Sequence, residues 1–223
     1  MKQLKNKHAF SLIELLIIAG ITVFLATLVI PMYRAQKDKA MGEQCAANLK
    51  QIGAAFKLYG NDWSGKFPNC GEGAGPAPAA PGNCTLYAAL KPYLPGDGTK
   101  FFICPADTGD AMIGGNPAPF YSQVWHSSYA WPAGWGYGWI NGLPQDNPVR
   151  PGYPAWMRNT PLSKRPALFE HRPWHRITSQ TAGIGWTNIS GSDNTLFCDG
   201  HVERAPHNWL IAWMTTGYDP GLW

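Results

Sequence analysis

The sequence lacks the marks of an enzyme. It has no Gly-x-Ser-x-Gly elbow, no Walker loop and no dinucleotide fingerprint, so no catalytic residue is assigned. It lacks a Cys-x-x-Cys pair, which removes the common structural zinc layouts. His171 and His175 stand four apart, but Pro173 lies between them and Arg172 rather than Glu follows the first, so the zinc-protease pattern fails. A basic surplus is also missing. The formal charge of +4 rests on Lys2, Lys5 and Lys7; without them, 15 Lys and Arg face 14 Asp and Glu. That balance offers no electrostatic footprint for nucleic acid. Between Phe10 and Ile30 charge is almost absent, with Glu14 the single exception.

That uncharged run is what organises the chain. A helix of its 21 residues spans a bilayer core of about 30 Å. A short basic stretch, Met1 to His8, precedes it, and Arg34, Lys37, Asp38 and Lys39 follow it. The lysines read as a positive-inside signal that keeps the N-terminus in the cytoplasm and sends the rest across. A secretory signal has a shorter apolar core and a small-x-small site after it, which Ile30-Pro31-Met32-Tyr33 does not supply. A plain anchor explains the length of the run but not a carboxylate inside it, which is costly in lipid.

The combination of basic leader, Ala9-Phe10, Glu14 and unbroken apolar helix resembles the type IV prepilin and pseudopilin family. The resemblance implies cleavage between Ala9 and Phe10, with Ala9 where the family usually carries Gly, and N-methylation of Phe10 by a prepilin peptidase. Glu14 is then the fifth residue of the processed chain. In the family that Glu is thought to pair with the N-terminal amine of a neighbouring subunit and set the register of stacking. The local alternative is that Glu14 satisfies its own helix N-terminus, where the dipole favours negative charge; both can hold. Pro31 matches a family proline and should bend or locally open the helix as it leaves the membrane.

From Pro31 to Asn61 the pattern stays helical. Cys45, Leu49, Ile52, Phe56 and Tyr59 form one stripe, with Lys50, Gln51 and Lys57 off it, and Gly60-Asn61-Asp62 end it. Leu86 to Leu94 suggests a short helix ending near Pro92, Lys100 to Cys104 a short strand, and Ala167 to Glu170 another. Residues 114–160, with Trp131, Trp135, Trp139 and Trp156, read as an irregular excursion. Asp199-Gly200 between two strand-like runs suits a type I′ hairpin, with positive φ at both residues. Trp209 to Met214 adds a short helix. The helix around Asn48-Leu49-Lys50-Gln51, Cys104-Pro105-Ala106-Asp107 and the Asp199-Gly200-His201 turn resemble a large-headed group of pilin-like proteins. That group usually carries a His ten residues before the Asp; here the position is Ile189, so no role of that His carries over.

The expected fold is therefore α+β and pilin-like. One long helix, transmembrane and then amphipathic, packs on a small antiparallel sheet with long irregular loops. Its parts are a leader at 1–9, a span at 10–30, an amphipathic helix at 31–61 and a head at 62–223. Five cysteines allow about 15 ways to draw two bridges. Cys70–Cys84 is the pair expected to staple the Gly/Pro/Ala loop between them, while Cys45 on the stripe reads equally well as a buried free thiol. No cofactor is expected beyond calcium as a weak candidate on Asp193, Asn194 and Asp199, whose spacing matches no EF-hand. His201 reads as structural. The 11 Trp read first as core-builders of a loop-rich domain and second as a surface that stacks on sugar rings.

The resemblance implies a structural subunit of a type IV pilus-like or type II secretion pseudopilus filament. Its partners would be other pilin-like subunits, the prepilin peptidase, an inner-membrane assembly platform and membrane lipid. It would sit single-pass in the bacterial inner membrane, head outside the cytoplasm, and in a periplasmic or surface filament after assembly. The alternative is a membrane-anchored, Trp-rich binding protein that recognises carbohydrate or secretion cargo without polymerising.

Overall fold

The computed structural model describes residues 11–70, 85–107, 127–130, 142–146, 160–170, 177–180 and 189–210. A long helix, α1, runs Leu12–Asp62 through Pro31. Contacts divide the chain into two compact units, Met1–Ala40 and Met41–Trp223.

In the first unit the polar side chains of α1 from 12 to 30 bond within the helix or its cap. Glu14 makes the carboxylate half of a capping box: its Oε2 accepts from the Ser11 N–H at 2.8 Å, and Leu15 N–H donates to Ser11 O at 3.2 Å. Thr22 Oγ1 donates to Ala19 O at 2.9 Å, and Thr27 Oγ1 donates to Phe24 O at 2.7 Å. Glu14, Thr22 and Thr27 are the only polar side chains from 12 to 30, and each has a partner within the helix or its cap. Its apolar side chains point outward, from Leu12, 82% exposed, to Ile30, 49% exposed. Among the described residues this is the one helix long and apolar enough to cross a membrane.

In the second unit the stripe does what its period implies. Cys45, Leu49, Ile52 and Phe56 are buried and Tyr59 half-buried, while Lys50, Gln51 and Lys57 are exposed. The helix stops in a Schellman-type turn. Gly65 N–H reaches back to Gly60 O at 2.7 Å, with Ser64 in the left-handed region at φ 55°. A short helix α2, Leu86–Leu90, is capped by Thr85, whose side chain accepts from Ala88 N–H, and it tightens into a 3₁₀ turn at Lys91–Tyr93.

Five antiparallel strands are described: β1 Tyr129–Ala130, β2 Pro166–Glu170, β3 Ile177–Gln180, β4 Ile189–Phe197 and β5 Val202–Pro206. Strand β4 is the hub. It pairs with β2 (Phe169 opposite Thr195), with β5 (Asn194 opposite Arg204) and, at its start, with β3 (Ile177 opposite Gly191), while β1 flanks β2. Leu168, Leu196 and Phe197 join the helix stripe in one core with Leu86, Leu90 and Phe102. The layout is α+β, a long N-terminal helix with a small antiparallel sheet.

Two local expectations need correction. The stretch expected as a strand at Lys100–Cys104 is a 3₁₀ turn, Thr99–Phe102, entered from Gly98 at φ 78°. Phe101 and Phe102 are adjacent and both buried; a strand would send them to opposite faces. The β4–β5 connection is not type I′. Only Gly200 has positive φ, at 94°, and Gly200 N–H bonds Phe197 O, so the loop holds three residues, 198–200, with the glycine as a left-handed bulge.

Candidate functional site

Two regions carry the residues singled out by sequence. Of the N-terminal set, Ala9 and Phe10 lie outside the described residues, Pro31 lies inside α1, and Glu14 caps the helix through one carboxylate oxygen. Among the described residues no hydrogen bond occupies its Oε1.

The head holds the cysteines and the hairpin. Cys45, for which a free thiol was an equal expectation, is bridged to Cys104, with Cα atoms 5.3 Å apart. The bridge joins the inner face of α1 to the end of the 3₁₀ turn, a juxtaposition that packing creates and spacing does not announce. Asn48, one turn along α1, donates to Ile103 O at 3.2 Å and holds that segment on the helix. Cys70 is disulfide-bonded as well, and its expected partner Cys84 lies outside the described residues. Cys198 is a free thiol. Burial pushes its pKa up to about 12, against the opposing pull of the Arg165 guanidinium.

Asp193, Asn194 and Asp199 are not gathered around one point. Neighbours in a strand face opposite sides, and these two separate accordingly. Asp193 pairs with buried His207 at 2.5 Å. Asn194 Nδ2 donates to Glu170 Oε1 at 2.8 Å and to Gly42 O at 3.3 Å. Asp199 sits at the hairpin tip, past the end of β4 at Phe197, where its Oδ1 accepts from His201 N–H at 3.0 Å and contacts His201 Nδ1 at 2.6 Å. Burial alone would raise the Asp199 carboxyl; hydrogen bonds from His201 and its charge bring it below the usual carboxylate value. His201 also stacks on Phe197 with parallel rings at 4.5 Å. His171 and His175 lie outside the described residues.

A different set does converge. Potential ligand atoms of Cys45, Cys104 and Glu170 lie within 4.8 Å of one another, but both sulfurs are spent in the bridge. Glu170 is fully buried and accepts from the Asn194 backbone N–H at 3.1 Å as well as from its side chain. Burial, then the Glu170 charge, raises the Tyr129 hydroxyl well above its ordinary pKa. Asn194, Glu170 and Gly42 thus tie β4, β2 and α1 together through polar contacts inside the core. Sequence reading left Glu170 and His207 unassigned. For Glu170 the available signal was a lone acid closing the apolar run Ala167-Leu168-Phe169; His207, after Glu203-Arg204-Ala205-Pro206, carried none.

Comparisons with protein-family models, curated proteins and solved structures return no match.

Proposed function

We propose that this chain is a pilin-like structural subunit, tethered in a bacterial inner membrane by α1 and built into a type IV pilus-like or type II secretion pseudopilus filament. The observation that carries this reading is Glu14. It is the single charge in a 21-residue apolar run and stands four residues beyond the Ala9-Phe10 junction that resembles a prepilin cleavage site. Such a carboxylate in lipid needs a partner. One oxygen caps the subunit's own helix; the other is open to the amine that cleavage would create on a neighbouring copy. A charge pair of this kind adds little net stability, but a mismatch is costly, so it specifies position.

Assembly follows from the outward apolar side chains of α1. Copies related by a rotation that does not close make an open helical filament. Gathering these helices at its centre hides from water the surface that lipid covered before, at roughly 25 cal/mol per Å². In this reading the lysines of residues 1–8 stay cytoplasmic, a prepilin peptidase removes residues 1–9 and methylates Phe10, and the head lies where disulfides persist.

Intact mass tests the processing step: the mature chain should lack residues 1–9 and carry one added methyl group. Electron microscopy of sheared surface material tests the polymer. Filaments should be absent with Glu14→Leu; normal filaments from that variant would sink the register role.

A further inference from the structure

Trp63 is the most exposed large apolar side chain described in the head, ahead of Leu58 at 49% and Ile103 at 39%. Trp209, Phe56, Phe102 and Phe169 are buried, whereas Trp63 is 58% exposed. It is also fixed. Its ring lies parallel to Tyr59 with centroids 5.5 Å apart and planes 9° from parallel. Tyr59 is braced edge-on by Tyr93 at 5.8 Å, and the Tyr93 hydroxyl donates to Asp62 Oδ2 at 2.8 Å. The backbone beneath is pinned by Trp63 N–H to Tyr59 O at 3.0 Å and by the Gly65–Gly60 bond that ends α1. One face of the indole is covered by Tyr59, the other is open, and a carboxylate is held beside it.

The surroundings narrow what this plate can take. Asn61, Asp62, Ser64, Gly65 and Lys66 are all exposed, so the ring lies in a mainly polar rim, with Leu58 on α1 the other exposed large apolar side chain close in sequence. A stable protein interface wants roughly 800 Å² per partner with an apolar centre, far more than one ring offers. A pyranose matches the plate on both counts. Its axial C–H face is weakly positive and suits the negative face of an indole, and its equatorial hydroxyls reach outward to acceptors such as the second oxygen of Asp62. Because plate and acceptor are already ordered, little freedom is lost on binding. We propose that Trp63, stacked on Tyr59 and flanked by Asp62, is a carbohydrate-binding platform that takes one ring of a flat β-(1→4)-linked pyranose chain. The site works the same whether or not the chain polymerises.

Titration calorimetry of the full chain with cellohexaose, in a detergent without a sugar headgroup, tests this. Saturable binding with one site per chain is expected. Trp63→Ala should weaken it about tenfold or more, Trp63→Phe less, and Asp62→Asn a few-fold. Circular dichroism and an intact Cys45–Cys104 bridge check that the variants fold. In the unmodified protein, the indole N–H resonance that Trp63→Phe removes should shift as cellohexaose is added, which keeps the test open should Trp63→Ala misfold. No binding at about 10 mM cellohexaose overturns the proposal. So does undiminished binding by a folded Trp63→Ala. Self-association that depends on Trp63, without sugar binding, would give the plate to a second copy and overturn it too.

Discussion

Ser64 holds a left-handed backbone, φ 55°, at the turn that ends α1. A side chain there costs roughly 1–2 kcal/mol that glycine does not. Ser64→Gly should therefore raise stability by about 0.5–1 kcal/mol after glycine's own entropy cost, measured by denaturant unfolding. Asp199 works in the opposite sense with pH. Its folded pKa lies below the ordinary 3.8. Its stabilising contribution is thus complete above that value and is lost as pH falls through the lower, folded one. Acid unfolding should show a loss beginning near pH 3.8 and continuing below it, and Asp199→Asn should flatten that limb. At Cys198 a thiol pushed to about 12 is nearly all protonated at neutral pH. Iodoacetamide should modify it roughly tenfold or more slowly in the folded chain than after unfolding, since lost thiolate outweighs the gain in nucleophilicity.

Elements differ in how far their residues announce them. The α1 stripe at steps of four and three is a purely local pattern, and Cys45, Leu49, Ile52 and Phe56 are all buried as it implies. Ala167–Glu170 and the β4–β5 pair were legible for the same reason, apolar runs bounded by turn residues. The failures share a cause. Lys100–Cys104 is apolar like a strand, yet Gly98 and the need to bury both Phe101 and Phe102 coil it into a 3₁₀ turn. The loop after β4 takes three residues because Gly200 alone carries positive φ. The Cys45–Cys104 bridge spans 59 residues of sequence, and only the docking of that turn on α1 brings the sulfurs together. A loop that long makes the bridge worth about 4 kcal/mol, so Cys104→Ser should lower unfolding stability by roughly 2–5 kcal/mol. Gly53→Ala should cost about 1–3 kcal/mol, because its Cβ would meet Leu196 Cδ1 at 2.8 Å where α1 crosses β4.

At the scale of the molecule, the two units place opposite demands on their surroundings. Residues 12–30 expose nearly every apolar side chain, and Glu14, Thr22 and Thr27 each make a hydrogen bond within the helix or its cap, which leaves a helix long and apolar enough to cross a membrane. The unit from Met41 onward buries its apolar stripe in its own core. The full chain should therefore partition into the detergent phase of a cloud-point extraction. A fragment beginning at Met41 should stay in the aqueous phase with the Cys45–Cys104 bridge formed. A fragment that followed the full chain into detergent would show that the head carries its own membrane affinity.

What the sequence by itself determined is whatever depends on neighbours along the chain: an apolar span with one carboxylate, a helical stripe, and the strands flanking Asp199-Gly200. Periodicity and composition suffice there, because 3.6 residues per turn and two per pleat act locally. The tertiary structure alone decided which cysteine meets Cys45, and that Asp193 turns to His207 while Asn194 turns to Glu170. It also left Trp63 outside and drew Trp209 inside. Those outcomes depend on which surfaces meet across long separations, where burying an unpaired polar group is penalised and close packing admits few arrangements.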